Sequence, residues 1–343
     1  MTSKNSSWTS DRAADHKGTA PFLLSPAGKD YLWGGSRLKE QFSKNIDLNP
    51  LAETWECSTH PDGPSTVASG EYQGRKLDEV LRACPWLKGT RHQNTEGLPI
   101  LIKLIDARQD LSVQVHPDDA YAKTHENGSL GKLEMWYVLA ASPGAKLVYG
   151  FYHDMEKETV RASIENGTIQ KYLQRIPVKK DDMFFVPAGR VHAIGEGVLL
   201  AEVQESSNLT YRLYDYGRVD KNGSLRPLHV EKALEVADLK GSSSPRQPMR
   251  VLKFRRGQAS EFLCRCRYFQ AERILVNTEQ CREMTCIQTD STSFQVYLCT
   301  EGCGVLFWNG GMLNFYRGDC IFVPAESAEI RIHGKAQFLK VEC

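Results

Sequence analysis

The sequence predicts a mainly β protein made of two β-sandwich barrels with a small helical insertion. Short apolar runs, some strictly alternating, fill most of the chain and are broken by Gly, Pro, Asn and Asp, the pattern of strands separated by turns. One stretch has an internal echo. KKDDMFFVPAGRVHAI aligns without gaps on YRGDCIFVPAESAEIR, which pairs Val186 with Val323, Pro187 with Pro324 and Ala188 with Ala325. Segments this alike are expected at equivalent places in two similar barrels.

In chain order, residues 1–20 (MTSKNSSWTSDRAADHKGTA) have no apolar core and read as a disordered tail. Residues 21–60 mix Gly-Gly turns with short apolar runs, as entry strands and loops. In RKLDEVLRACPW, Leu77, Val80 and Leu81 fall on one helical face and Pro85 ends the helix. LPILIKLIDA reads as a nearly continuous apolar strand and LSVQVH as an alternating one. Two helical patterns occupy 154–176: Val160 and Ile164 one turn apart, Gly167 as a C-terminal cap, then Ile169, Tyr172, Leu173 and Ile176. Strands return with MFFVP and VLLAEVQ, and HVEKALEVADL is one more helix. The polar stretch 241–250 is the expected linker between a first domain, 21–240, and an all-β C-terminal domain, 251–343.

The bulk numbers exclude some functions. A length of 343 residues suits two compact units, and 43 Lys and Arg against 42 Asp and Glu give a net charge of +1. Such a chain has no general attraction for nucleic acid or an anionic membrane. No apolar stretch approaches bilayer length and the tail lacks a signal-peptide core, so a cytoplasmic location is expected. The ten cysteines include no CxxC pair. Seven fall between Cys264 and Cys320 and read as small buried thiols of a cytosolic β domain, with Cys264-Arg-Cys266 as a redox candidate.

Side chains alternate across a strand, so in Ser112-Val113-Gln114-Val115-His116 the valines face one way while Gln114 and His116 face the other, toward one point. Glu134 opens a second strand, EMWYVL, whose first residue can meet that point from a neighbour. His192 follows the tight Pro187-Ala188-Gly189 turn. Two imidazoles, a carboxylate and an amide make a plausible set for one Zn²⁺ per chain. With a single carboxylate the ion keeps a net charge near +1 and stays a usable Lewis acid, which favours catalysis over scaffolding. In the C-terminal echo Glu329 stands opposite His192, so the second barrel is expected to be metal-free.

The ordered motifs Q-x-H, then E, then P-x-G-x-x-H resemble the cupin signature, with Gln114 where many cupins carry their first histidine. The flanks narrow the resemblance. LPILIKLIDA with SVQVHPDD, then GKLEMWYVL, VPAGRVHAI and ESSNLTYRLYDYGR, preceded by YLWGGSRL and ETWECSTHPDG, resemble the short form of type I phosphomannose isomerase. The likeness runs from about residue 21 to the C-terminus, with its specific motifs in the first 230 residues. It implies metal ligands at Gln114, His116, Glu134 and His192 and an active-site arginine at Arg212. The reaction it implies interconverts mannose 6-phosphate and fructose 6-phosphate through a cis-enediol. Arg212 would stabilise the developing enediolate or clamp the phosphate. No Gly-rich phosphate loop is present, so Lys103, Lys132, Ser58 and His60 are the substrate-binding candidates, with Glu202 or His60 as proton carrier. Where many members read S-D-x-T-Y-R, this chain has Ser207-Asn208-Leu209-Thr210-Tyr211-Arg212, which leaves the effect of Asn208 open. Two other readings stand beside this one. A non-catalytic sugar-phosphate-binding paralogue is opposed by the presence of Arg212 with all four ligands, and an iron-dependent cupin oxygenase gives the TYRLYDY segment no role.

Overall fold

The structure is a computed structural model that describes residues 19–343 apart from 220–222, 244, 246, 248 and 282. The expected tail therefore lies almost wholly outside the described residues. Three antiparallel sheets dominate. A six-stranded sheet runs, in spatial order, through Met183–Val186, Glu134–Ala141, Val198–Glu205, Ile100–Asp106, Glu53–Cys57 and Ala27–Lys29. A five-stranded sheet runs through Tyr211–Tyr214, Val113–Val115, His192–Ile194, Lys146–Phe151 and Leu173–Pro177. The third, ten-stranded sheet holds the strands from Leu252 onward together with Phe22–Ser25 and Thr66–Val67.

Packing explains why Ile100–Asp106 and Val198–Glu205 are buried at every position. One face of the six-stranded sheet (Ile102, Leu104, Met135, Tyr137, Val203) packs on Phe294, Leu298, Phe322 and Leu339 of the ten-stranded sheet. Its other face (Ile105, Trp136, Val138, Leu200) packs on the five-stranded sheet through Leu147 and Ile194. A strand covered on both sides loses polar/apolar alternation and reads as a continuous apolar run, which is the pattern of LPILIKLIDA. On the five-stranded sheet the outer residues Val113, Val115, Ala193, Tyr211 and Leu213 are covered by Val160 and Ile164 of helix Lys157–Glu165 and by Ala233 and Leu234 of helix Val230–Val236. The alternate residues, Gln114, His192 and Arg212, must then face inward, between the two sheets.

The internal echo has a physical counterpart. Asp181 and Gly318 both take positive φ, 71° and 100°. Lys179 N donates to Asp182 Oδ2 at 2.9 Å, and Tyr316 N donates to Asp319 Oδ2 at 2.8 Å. Asp181 N donates to Val138 O and Gly318 N to Cys299 O, each at 2.8 Å. The two turns are built alike, but Glu329 is half-exposed and paired with Arg331 at 3.0 Å.

Several expectations are corrected. Leu173–Pro177 is a strand and not a second helical turn: it pairs with Lys146–Phe151 and sends Leu173 and Ile176 to opposite faces, so sheet pairing overrides the helical spacing. Residues 21–60 include a helix, Arg37–Phe42. The cysteines between Cys264 and Cys320 are not uniformly buried, since Cys286 and Cys303 are exposed; burial pushes the Cys264 thiol up to about 12, where it is no nucleophile at neutral pH. We propose that the chain divides at 241–250 as its composition suggests. Strand Phe22–Ser25 nevertheless crosses that division to pair with Cys320–Val323.

Candidate metal centre and active site

Strand register lines up the inner face of the five-stranded sheet. His192 sits opposite Gln114 and Arg212 sits opposite Gln114 on the other side, so the three side chains form one row. His116 lies just past Val113–Val115 and points the same way. Glu134 comes from the facing six-stranded sheet and not from a neighbouring strand, so the cluster bridges two layers. His116 Nε2 is 3.2 Å from Glu134 Oε1, and His192 Nε2 is 3.7 Å from Glu134 Oε2. One ligand atom from each of His116, Glu134 and His192 lies within 4.8 Å of the others. Gln114 Nε2 is 3.4 Å from His192 Nε2, and a half-turn of the amide exchanges nitrogen for oxygen at that place.

The protonation states suit a metal. Burial, then the Lys132 ammonium, push the His116 pKa down to about 3, and burial lowers that of His192. Both imidazoles are therefore neutral at neutral pH, with lone pairs to give. His192 Nδ1 donates to Arg190 O at 2.7 Å, which fixes the tautomer that leaves Nε2 free for a metal. Burial opposes ionisation of Glu134, but Lys132 and His116 outweigh it and hold the carboxyl well below its usual range. Among the described residues, Glu134 Oε2 and buried His116 Nδ1 have no hydrogen-bond partner. The Lys132 ammonium lies 2.9 Å from Glu134 Oε1 and 3.4 Å from His116 Nε2, a cation among the ligand atoms. An orphaned carboxylate oxygen and neutral imidazoles facing one point fit a divalent ion.

The next row of the six-stranded sheet carries the other charges. Trp55, Lys103, Glu202 and Trp136 are consecutive cross-strand neighbours. Lys103 Nζ is 3.0 Å from Glu202 Oε1 and 3.9 Å from Glu53 Oε2, and Trp136 Nε1 donates to Glu202 Oε2 at 2.9 Å. Burial works against the Lys103 ammonium, but Glu202 and Glu53 outweigh it and raise its pKa. Glu202 is raised by burial and then by Glu134. Lys103 and Lys132, only 3% and 4% exposed, are buried groups and not the solvated edge charges that strand lysines usually are. Sequence reasoning missed Glu53, Trp55 and Trp136 here. Trp136 was within reach, two residues from Glu134 and so on its face.

Ser58 and His60 lie on the loop after Glu53–Cys57. Ser58 is fully buried and its hydroxyl accepts His60 N at 3.2 Å, so it shapes the loop. The His60 ring packs edge-on to Trp55 with centroids 5.7 Å apart, and burial, then Lys103 and Lys29, lower its pKa against the pull of Asp62. Arg212 gives Nη1 to Pro227 O at 2.8 Å while its Nε is buried without a partner. Its charged neighbours are Arg226, Arg218 and Asp215; both other arginines are ion-paired to Asp215, Arg226 through Nε at 2.6 Å. Two cavities of about 610 and 630 Å³ lie elsewhere, one beside Phe254 and Gln258, the other beside Arg37 and Lys146. Neither is lined by a residue of the cluster.

A mainly antiparallel β fold with a buried His/Glu cluster, ringed by cations, defines a metal-binding protein of cupin-like architecture. Residues 22–143 match the model of the phosphomannose isomerase type I catalytic domain. The chain is 36% identical over 324 residues to a probable mannose-6-phosphate isomerase of Bacillus subtilis, covering 94% of this chain and 98% of the relative. It is 43% identical over 216 residues to the mannose-6-phosphate isomerase of Streptococcus mutans, covering 63% and 67%. A crystal structure of mannose 6-phosphate isomerase from Bacillus subtilis superposes with a TM-score of 0.87 at 32% identity, covering 94% of this chain and 99% of that one. The chain belongs to the type I mannose-6-phosphate isomerase family.

Proposed function

We propose that this protein is a cytoplasmic, zinc-dependent aldose–ketose isomerase that interconverts mannose 6-phosphate and fructose 6-phosphate through a cis-enediol, in mannose metabolism. The observation that carries this reading is the buried His116–Glu134–His192 cluster with Lys132 against it, facing the Lys103–Glu202 pair. Gln114 completes the proposed ligand set, and a zinc ion bound there would supply Lewis-acid polarisation of the substrate's oxygens.

The chain's own residues divide the remaining work. Arg212 keeps a buried, unpaired Nε and a forked cation for the phosphate or for the negative charge of the enediolate. Lys103 and Lys132 favour that charge more than the neutral sugar, which lowers the barrier and not only KM. The candidates to carry the proton between C2 and C1 are Glu202, whose pKa is raised by burial, and His60, whose pKa is lowered by burial so that it can accept one. Trp55 and Trp136 flank the Lys103–Glu202 pair on the sheet. The test is to feed mannose 6-phosphate to the metal-replete protein and couple fructose 6-phosphate to a detecting enzyme. Steady turnover is expected, and none at all would remove the isomerase reading.

Asn208, where relatives of the S-D-x-T-Y-R pattern carry a carboxylate, donates Nδ2 to Asp62 Oδ2 at 2.8 Å. It thus ties the His60 loop to the segment leading to Arg212. An aspartate here would face Asp62 with like charge, so Asn208→Asp is expected to raise KM roughly threefold at low salt, with the loss shrinking at high salt. Steady-state kinetics at two ionic strengths checks this.

A further inference from the structure

Lys132 and Glu134 owe their placement to a short, irregular segment, 130–133, that leads into the strand at Glu134. It is held by side chains from three directions. Gly131 N donates to Asp119 Oδ1 at 2.9 Å, Leu133 N donates to Glu205 Oε1 at 2.9 Å, and Ser207 Oγ donates to Leu130 O at 3.0 Å. Lys132 N reaches Pro117 O at 3.0 Å. Gly131 lies so close to the start of helix Asp119–His125 that a Cβ there would meet Asp118 C and Asp119 N at 2.5 Å. A segment packed this tightly transmits small shifts of its anchors to the two charged side chains it carries.

One anchor comes from the C-terminal sheet. Tyr268 stands at the tip of the hairpin between strands Gln258–Arg265 and Gln270–Asn277, and its hydroxyl donates to Asp119 Oδ2 at 2.6 Å. Asp119 therefore takes Gly131 N on one oxygen and Tyr268 on the other. Glu205 lies beside it, 2% exposed, with the Asp119 carboxyl and the Tyr268 hydroxyl facing its carboxyl group. Two buried carboxylates side by side are costly when both are ionised, and protonation of Glu205 removes the cost by making it a donor toward Asp119. The surroundings agree. Burial, then the Asp119 carboxylate, push Glu205 up to about 7, whereas Tyr268 and Gly131 hold Asp119 down against burial. The other titratable or charged groups at the cluster are Cys266 and Arg267 of the same hairpin.

We propose that Tyr268, acting through the Asp119–Glu205 carboxyl pair, is a positioning residue by which the C-terminal sheet sets Lys132 and Glu134 for catalysis. The proposal rests on the isomerase reading for its kinetic readout and gives the C-terminal domain a part in the active site. None of Tyr268, Asp119 and Glu205 touches the cluster, so their effect is on placement.

The test uses the full-length protein with Tyr268→Phe, Glu205→Ala and Glu205→Gln, read by kcat, KM and hydrogen exchange at the Gly131 and Leu133 amides. Losing the Tyr268 hydroxyl is expected to lower kcat about tenfold, with KM within about twofold, and to speed exchange at Gly131 by a similar factor. Glu205→Gln keeps an acceptor for Leu133 N and a donor for Asp119, so it should retain near wild-type kcat and slow exchange, whereas Glu205→Ala should lose both. Unchanged kcat and exchange in Tyr268→Phe, or Glu205→Gln as impaired as Glu205→Ala, overturns the proposal. Should the wild type lack isomerase activity, the isomerase reading falls, while the exchange rates still decide whether Tyr268 anchors the segment.

Discussion

Glu134→Ala is expected to lose its metal and at least roughly a thousandfold in turnover. Glu134 is the one carboxylate in the cluster and is fully buried between two neutral imidazoles and the Lys132 ammonium. Its removal leaves only neutral donors for a divalent ion and a buried ammonium without a counter-charge. Metal analysis of the purified variant and the coupled assay read the two losses separately. His192→Ala removes a ligand without unbalancing Lys132, so it should also lose metal and activity while folding more nearly like wild type. Wild-type turnover in either variant would sink the ligand assignment.

Glu56→Ala is expected to cost about 3–5 kcal/mol of stability while leaving the active-site residues untouched. Glu56 and Lys44, 0% and 7% exposed, meet at 2.6 Å; Lys44 Nζ also donates to Gly318 O at 2.5 Å, and Thr54 Oγ1 donates to Glu56 Oε1 at 2.6 Å. This network ties the N-terminal segment to the C-terminal hairpin turn. Deleting the carboxylate strands a largely buried ammonium without a counter-charge. Denaturant unfolding should show a lower midpoint with little change in slope, and an apolar pair at both positions should recover much of the loss. A midpoint within about 0.5 kcal/mol of wild type would show that the pair is not buried in solution.

The residues that carry this site differ in how far local sequence reveals them. Gln114 and His116 are legible because period-two alternation is a local property, and the valines beside Gln114 state which face is covered. Glu134 is legible as a ligand from the ordered motif, but its arrival from the facing sheet is not, since the layer a strand joins is set by pairing far along the chain. The same limit applies to strand Phe22–Ser25, whose partner Cys320–Val323 lies near the other end. Lys103 and Lys132 are legible as candidates, and the continuous apolar run of LPILIKLIDA marks a strand covered on both faces, but Glu202 and Glu53 beside Lys103 come from other strands and have no local signal. Leu173–Pro177 misleads for a related reason, because its apolar spacing satisfies a helix while Lys146–Phe151 offers it a ladder. Tyr268 has no local signal at all: an aromatic residue at a hairpin tip is ordinary until Asp119 lies within 2.6 Å of it.

The metal centre is tested most directly by titrating zinc into chelator-stripped protein while following isomerisation of mannose 6-phosphate. Activity is expected to rise in proportion to bound metal and to level off at one ion per chain, with no rise in the Glu134→Ala protein. Full turnover in the stripped protein, or metal-dependent turnover that survives loss of Glu134, would contradict the assignment of His116, Glu134 and His192 as the catalytic metal site.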